Sequence, residues 1–174
     1  MAAIPHRLRL AVASALLAAC ARGDAAPAGS DATLFTRLPA SATGVRFANR
    51  LRETRELNIF TYRHFYNGGG VALGDLTGDG LPELVLTGAQ TGPRVYLNLG
   101  QFRFRDVTAE SGVGRQGDWA TGAAMADWDG DGRLDLFVGF AGKDEGPRRA
   151  NALYRNAGLR GGVPVLRDVA PAWG

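Results

Sequence analysis

The chain is poor in the residues that most catalytic sites require. Its 174 residues include one cysteine and two histidines. A single cysteine excludes an internal disulfide framework. The histidines, His6 and His64, lack the serine and aspartate companions that a hydrolase triad needs. We therefore predict no catalytic residues, and a protein that is not an enzyme.

The chain also lacks a long apolar stretch and a strong excess of one charge. Residues 10–19 form an apolar run that is too short to span a bilayer. The 20 Lys and Arg residues exceed the 17 Asp and Glu residues by only three. Because the basic residues are spread along the chain and form no extended Lys/Arg cluster, nucleic acid is not a predicted partner.

The N-terminus carries an export pattern. Arg7 and Arg9 precede the apolar run, which ends in Leu-Ala-Ala followed by Cys20. This resembles a bacterial lipoprotein signal, which implies cleavage after residues 1–19 and lipidation of the Cys20 thiol. An ordinary secretory signal is the alternative. Residues 20–33 are small and polar and are predicted to form a flexible tether. Since Ala21 follows the cysteine, we expect anchoring at the outer membrane of a diderm bacterium.

An aspartate-rich stretch, Asp-Trp-Asp-Gly-Asp-Gly-Arg-Leu-Asp, organises the rest of the sequence. Acidic side chains at alternate positions of a tight loop converge, and a hard cation such as Ca²⁺ removes their repulsion. A second copy, with a threonine and a glutamate replacing two aspartates, is predicted to bind more weakly. The predicted ligands of the stronger loop are Asp127, Asp129, Asp131, the Arg133 carbonyl and Asp135, and those of the weaker loop are Asp75, Thr77, Asp79, the Leu81 carbonyl and Glu83.

The sequence of these loops has two other interpretations. An Asp-Gly turn between strands forms without any metal. An EF-hand requires a carboxylate at loop position 12, where this chain has Leu86 and Val138. The flanking segments are short apolar runs typical of buried strands, so the EF-hand is excluded.

Each loop belongs to a unit that repeats with a period of roughly fifty residues, which is typical of propellers. The first unit predicts strands at residues 71–74, 83–87, 94–98 and 101–107. In the second unit, residues 123–127 and 134–138 flank the loop. Residues 51–57 are the only helical candidate. The predicted fold is all-β, a partial β-propeller of about two four-stranded antiparallel blades.

Further motifs follow one another along the chain with the aspartate loops: residues 66–75, 96–98, 104–108, 112–113 and 119–122. In this order they resemble FG-GAP/VCBS repeat proteins and, more closely, the bacterial branch of the cartilage acidic protein family, which is associated with ASPIC/UnbV domains. The resemblance covers residues 34–174 and implies a calcium-stabilised propeller. Residues 35–38 match the end of the first unit and are expected to form a trailing strand.

A closed propeller needs several blades, whereas this sequence supplies about two. We expect a truncated member of the family, with assembly between chains through open blade edges as the alternative. The expected function is calcium-dependent adhesion or interaction at the cell envelope. The predicted partners are an extracellular protein or glycan, and the membrane through Cys20. The alternative function is a fragment of a propeller enzyme acting on polysaccharide.

Overall fold

The computed structural model describes residues 34–142 and 149–173. The predicted signal peptide, the tether and Cys20 lie outside these residues. The chain divides into two units, residues 1–37 and 38–174, and the second contains all the described helices and strands. Within the described residues, the helices are too short and too polar to cross a membrane.

The second unit consists of two four-stranded sheets, each with its strands in chain order and antiparallel to their neighbours. This confirms the predicted all-β fold with two propeller-type blades. The first sheet contains β1 Val71–Gly74, β2 Glu83–Leu86, β3 Arg94–Asn98 and β4 Phe104–Asp106; the second contains β5 Ala120–Ala126, β6 Asp135–Phe140, β7 Ala152–Arg160 and β8 Val163–Asp168. Among the described residues, three single-turn helices accompany the sheets: α1 Ala40–Thr43, α2 Thr108–Ser111 and α3 Ala170–Trp173.

The main core lies between the facing sides of the two sheets. Alternate residues of the central strands are buried there, because successive side chains of a strand point to opposite faces. The core includes Val85, Val95, Leu136, Val138 and Tyr154. Burial of a side chain of this size contributes about 1.5–3 kcal/mol relative to exposure.

The innermost strands, β1 and β5, approach each other through glycines. A Cβ atom on Gly70 would lie 2.8 Å from the Cα of Gly122, and one on Gly74 would lie 2.7 Å from the sulfur of Met125. Neither position has room for a side chain. The small residues of both strands therefore allow the two blades to pack closely.

A second, smaller core stands at one end of the sheets. Phe65 and Trp119 are buried there, and the Tyr62 ring meets the Trp119 ring edge-on with 5.2 Å between centroids. Trp119 is 7% exposed, so the residue just before β5 is part of this core. The cluster ties the segment before β1 to the start of β5.

Two local predictions were wrong, and the bounds of several predicted strands differ from the structure. Residues 51–57 contain no helix and form bends from residue 55, and residues 35–38 form no strand. The fourth strand is shorter than residues 101–107, because Gln101 and Phe102 adopt φ angles of 52° and 58° and form a turn. The second-unit strands extend beyond the predicted residues 123–127 and 134–138, and a bulge interrupts the pairing near Gly122.

Candidate metal centre

The two aspartate loops join β1 to β2 and β5 to β6, and their first acids bond in the same way. Asp75 accepts backbone hydrogen bonds from Gly78 at 2.7 Å and Gly80 at 2.8 Å. Asp127 accepts the equivalent bonds from Gly130 and Gly132, both at 2.8 Å. These four glycines have φ angles between 74° and 85°, in a region that other residues rarely adopt. The spacing of Asp and Gly therefore builds the loop by itself.

The fifth position of each loop supports the turn. The Asp79 carboxylate accepts from the Leu81 N–H at 2.8 Å, and the Asp131 carboxylate accepts from the Arg133 N–H at 3.0 Å. Both acids therefore stabilise the residue at position 7, whose carbonyl was predicted as a ligand. Leu81 is partly exposed at this turn.

The ninth position is a buried acid that closes each loop. Glu83 is fully buried and accepts from the N–H groups of Leu76 at 2.8 Å and Thr77 at 3.2 Å. Asp135 is 1% exposed and accepts from the Trp128 N–H at 3.1 Å. A buried carboxylate is costly unless it is hydrogen-bonded or paired with a cation. A bound cation would therefore reduce the cost of burying these two carboxylates.

Only the second loop gathers three carboxylates within the described part of the chain. Carboxylate oxygens of Asp127, Asp129 and Asp135 all lie within 4.8 Å of one another. Thr77 occupies the position equivalent to Asp129, so the first loop has a hydroxyl there. The Thr77 hydroxyl instead donates to Asp75 at 3.3 Å. The two loops therefore differ in the number of carboxylates that converge; their relative calcium affinity stays a prediction.

Asp131 does not join this group of three. Its carboxylate pairs with the guanidinium groups of Arg133 and Arg155. Arg155 also donates from Nε to the Asp129 carboxylate. Arg155 belongs to β7, so a neighbouring strand brings positive charge onto the loop.

Hydrogen bonds, charge and burial shift the pKa values of three loop acids, lowering those of Asp129 and Asp75 and raising that of Glu83. Desolvation acts to raise the pKa of Asp129, but the hydrogen bond and charge of Arg155 outweigh it and lower that pKa. Desolvation likewise opposes the backbone hydrogen bonds that lower the pKa of Asp75. Burial raises the pKa of Glu83 despite its three backbone donors. Burial of Glu83 therefore disfavours its ionised form.

Two asparagines, which the sequence did not indicate as site residues, direct their backbone N–H groups at the closing acids of the loops. The N–H of Asn156 donates to Asp135 at 2.7 Å, and the N–H of Asn98 approaches Glu83 at 3.4 Å. Asn156 is fully buried, and its amide donates to the Leu76 carbonyl of the other blade at 2.8 Å. Both residues follow a tyrosine by two positions in the repeated motif, which is the signal that could have identified them.

The donor atoms of the second loop fit a hard divalent cation. Carboxylate oxygens are the ligands that Ca²⁺ prefers, and each carboxylate has more acceptor sites than its backbone bonds use. Asp127, Asp129 and Asp135 would hold the ion, which would neutralise their charge. The first loop has fewer converging acids and fits less well.

Together, the two sheets and the repeated loops define a class: an all-β repeat protein with propeller-type blades. Within it, the family model of the FG-GAP-like repeat matches residues 56–138. These residues include both aspartate loops and the first blade. FG-GAP-like repeats are typically non-catalytic interaction modules of extracellular type. No curated protein is significantly similar to the chain.

Proposed function

We propose that this protein is a calcium-stabilised interaction module that is exported and lipid-anchored at the cell envelope. The single observation that carries the calcium proposal is the convergence of Asp127, Asp129 and Asp135 within 4.8 Å. The repeat family and the resemblance to the bacterial cartilage acidic protein branch support an adhesive or ligand-binding role. No hydrolytic constellation competes with this assignment in the sequence.

Calcium acts structurally in this proposal. The loop joins the innermost strand of a blade to the next strand, and Asn156 links the closing acid to the neighbouring blade. Neutralising the acids would therefore stabilise the contact between the two sheets. Affinities of extracellular calcium modules are about 10⁻⁴–10⁻³ M.

Calcium titration of the whole chain by calorimetry tests the assignment of the loops. Asp129→Ala removes one of the three converging carboxylates, whereas Thr77→Ala removes a weaker hydroxyl ligand at the equivalent position. We expect Asp129→Ala to weaken calcium binding more. Equal effects of the two substitutions would contradict the order of the loops, and no calcium binding by the unsubstituted chain would refute the metal proposal.

Membrane attachment is tested separately, in cells that process lipoproteins. The proposal rests on the lipobox-like residues 17–20 and on Cys20, the chain's single cysteine. Cys20→Ala should move the protein from the membrane pellet to the soluble fraction. Unchanged pelleting of this variant would refute lipidation and leave the calcium assignment unaffected.

A further inference from the structure

The two blades pair their strands in the same register, so strand residues of one blade have identifiable equivalents in the other. The corresponding partners are Leu73 with Leu84 and Met125 with Leu136, then Leu84 with Tyr96 and Leu136 with Tyr154. A residue that is buried between the blades in one sheet can therefore be located in the other sheet, where its surroundings differ.

The side of the first sheet that faces away from the second sheet is apolar and open along β1. Val71 and Leu73 of this strand are 60% and 63% exposed. They alternate with Ala72, which packs on the core between the blades, so they point to the opposite side. Their equivalents in the second sheet are Ala123 and Met125, which pack on that core. The first sheet therefore exposes the residues with which the second sheet receives a neighbouring blade.

The side of the second sheet that faces away from the first has the complementary property. In the first loop, Leu76 is 2% exposed and belongs to the core between the blades, whereas its equivalent in the second loop, Trp128, is 48% exposed. Val85 of β2 is fully buried in the same core, whereas its equivalent Phe137 is partly exposed on the opposite side of β6. The second sheet therefore carries, on its free side, the apolar positions with which the first sheet contacts its neighbour.

One position on this free side is charged instead of apolar. Arg155 is equivalent to Leu97, which packs on the core between the blades. The Arg155 guanidinium pairs with the carboxylates of Asp129 and Asp131 in the second loop. Its charge is therefore compensated within the chain and adds no net positive charge to this surface.

A polar contact between the blades also has an incomplete equivalent on the first sheet. The Asn156 amide donates to its own blade and, across the blades, to the Leu76 carbonyl. Its equivalent Asn98 donates to the Pro82 carbonyl of its own blade at 2.8 Å. Within the described residues, the Asn98 amide has no counterpart of the bond across the blades. The carbonyl equivalent to that of Leu76 belongs to Trp128, on the free side of the second sheet.

The outer part of the first sheet is covered in the same way as that of the second. A Cβ atom on Gly112, after α2, would lie 2.8 Å from the Leu166 carbonyl oxygen of the second sheet. A Cβ atom on Gly44, after α1, would lie 2.2 Å from the equivalent Phe104 carbonyl oxygen of the first sheet. Tyr96, in this covered part, is only 2% exposed. The open surface is therefore the inner part of the sheet, along β1.

We propose that copies of this chain associate head to tail, with the open side of the first sheet of one copy covering the free side of the second sheet of the next. The contact repeats the one between the two blades of a single chain and uses sheet faces rather than strand edges. Leu73 takes the place of Met125, and Trp128 of the next copy takes the place of Leu76. Asn98 donates to the carbonyl of that Trp128.

The two surfaces differ and lie on opposite sides of the two sheets, so the contact is heterologous and can repeat from copy to copy. Propellers close after 4–8 blades, which corresponds to about two to four copies of a chain with two blades. This inference goes beyond the proposed function, and it depends on neither the lipid anchor nor a bound calcium ion.

Analytical ultracentrifugation of the whole chain, over a series of concentrations, measures the association. We expect the mass to rise with concentration to that of about two to four copies. Leu73→Lys on one surface and Trp128→Ser on the other should each weaken association at least about tenfold, because every contact needs both surfaces. Leu159→Lys is the matched control. Leu159 is 52% exposed in a hairpin extension that has no equivalent in the first blade, so this variant should associate normally.

An equimolar mixture of the two interface variants tests the head-to-tail arrangement. The Leu73→Lys chain keeps the surface of its second sheet, and the Trp128→Ser chain keeps the surface of its first sheet. One intact contact can therefore form between them, so the mixture should give a dimer that grows no further.

Second variants guard against local misfolding and against effects on the metal loop. Val71→Lys should reproduce Leu73→Lys, and Phe137→Lys, which lies outside the aspartate loop, should reproduce Trp128→Ser. Circular dichroism checks that each variant keeps its strands. Three results would overturn the proposal: an unsubstituted chain that is monomeric at every concentration, a mixture of the two variants that stays monomeric, or association that only one of the two surfaces affects. The last result would indicate a symmetric contact instead.

Discussion

Asn156 links the two blades, and replacing it by alanine tests how much that link contributes to stability. Its side-chain amide donates to the Leu76 carbonyl of the first blade at 2.8 Å and to the Leu134 carbonyl at 3.1 Å. Its side-chain oxygen accepts from the Gly158 N–H at 3.0 Å. Asn98 is the matched control, because it occupies the same position in the first blade but is only half-buried and donates to the Pro82 carbonyl at 2.8 Å.

The magnitude follows from burial. A buried carbonyl left without its donor costs about 1–3 kcal/mol, whereas a hydrogen bond that water can replace contributes about 0.5–1.5 kcal/mol. Asn156→Ala leaves two carbonyls without this donor, so we expect it to lower the free energy of unfolding by about 3–5 kcal/mol. Asn98→Ala should lower it by about 1 kcal/mol. Both substitutions delete the same atoms, so side-chain size does not explain the difference.

Urea unfolding of the whole chain, followed by circular dichroism, measures both variants. With a urea dependence of about 2 kcal/mol per molar, the midpoint of Asn156→Ala should fall about 1–2 M below that of Asn98→Ala. The comparison requires unchanged transition slopes. Equal midpoints would refute the conclusion that the bond between Asn156 and the Leu76 carbonyl stabilises the packing of the two blades.

Three further predictions concern the second loop and the inner strands. Arg155→Leu should raise calcium affinity about two- to fivefold in calorimetry, because Arg155 competes with the ion for Asp129. The control Arg167→Leu should leave the affinity unchanged. An unchanged affinity for Arg155→Leu would contradict the competition. The lowered pKa of Asp129 stabilises the calcium-free fold at pH values above the pKa that this carboxyl has in the unfolded chain. That contribution is lost as the pH falls through the pKa of the folded state. Acid unfolding should therefore begin at a higher pH when Arg155 is removed. Gly69→Ala should lower the free energy of unfolding by about 1–3 kcal/mol or prevent folding, because the new Cβ atom would lie 1.7 Å from the Thr87 carbonyl oxygen. Gly114→Ala places its Cβ atom in open space and should be neutral in the same urea assay.

The strands and loops of the first blade could be predicted because local patterns determine them. Val71–Gly74 and Arg94–Asn98 form strands within the predicted bounds. The loop conformation could be predicted from Asp and Gly spacing, since Asp127 bonds only to backbone groups three to five residues away. Apolar alternation failed at Phe102, where a left-handed backbone conformation ends the strand pattern.

Contacts between distant segments could not be predicted from local patterns. Nothing in the local sequence indicates that the Asn156 amide reaches the Leu76 carbonyl, or that Arg155 covers Asp129. The alanine-rich strand Ala120–Ala126 has weak strand propensity, and it is held by pairing with β6 and by close packing against Gly70 and Gly74.

Thermal unfolding of the whole chain, in excess calcium and in excess chelator, tests the central claim most directly. With dissociation constants of about 10⁻⁴–10⁻³ M, 10 mM calcium should add about 1.4–2.7 kcal/mol and raise Tm by roughly 4–10 °C. Asp129→Ala should lose most of this rise. The same Tm in calcium and in chelator would contradict the account, because the converging carboxylates of the second loop would then hold no stabilising ion.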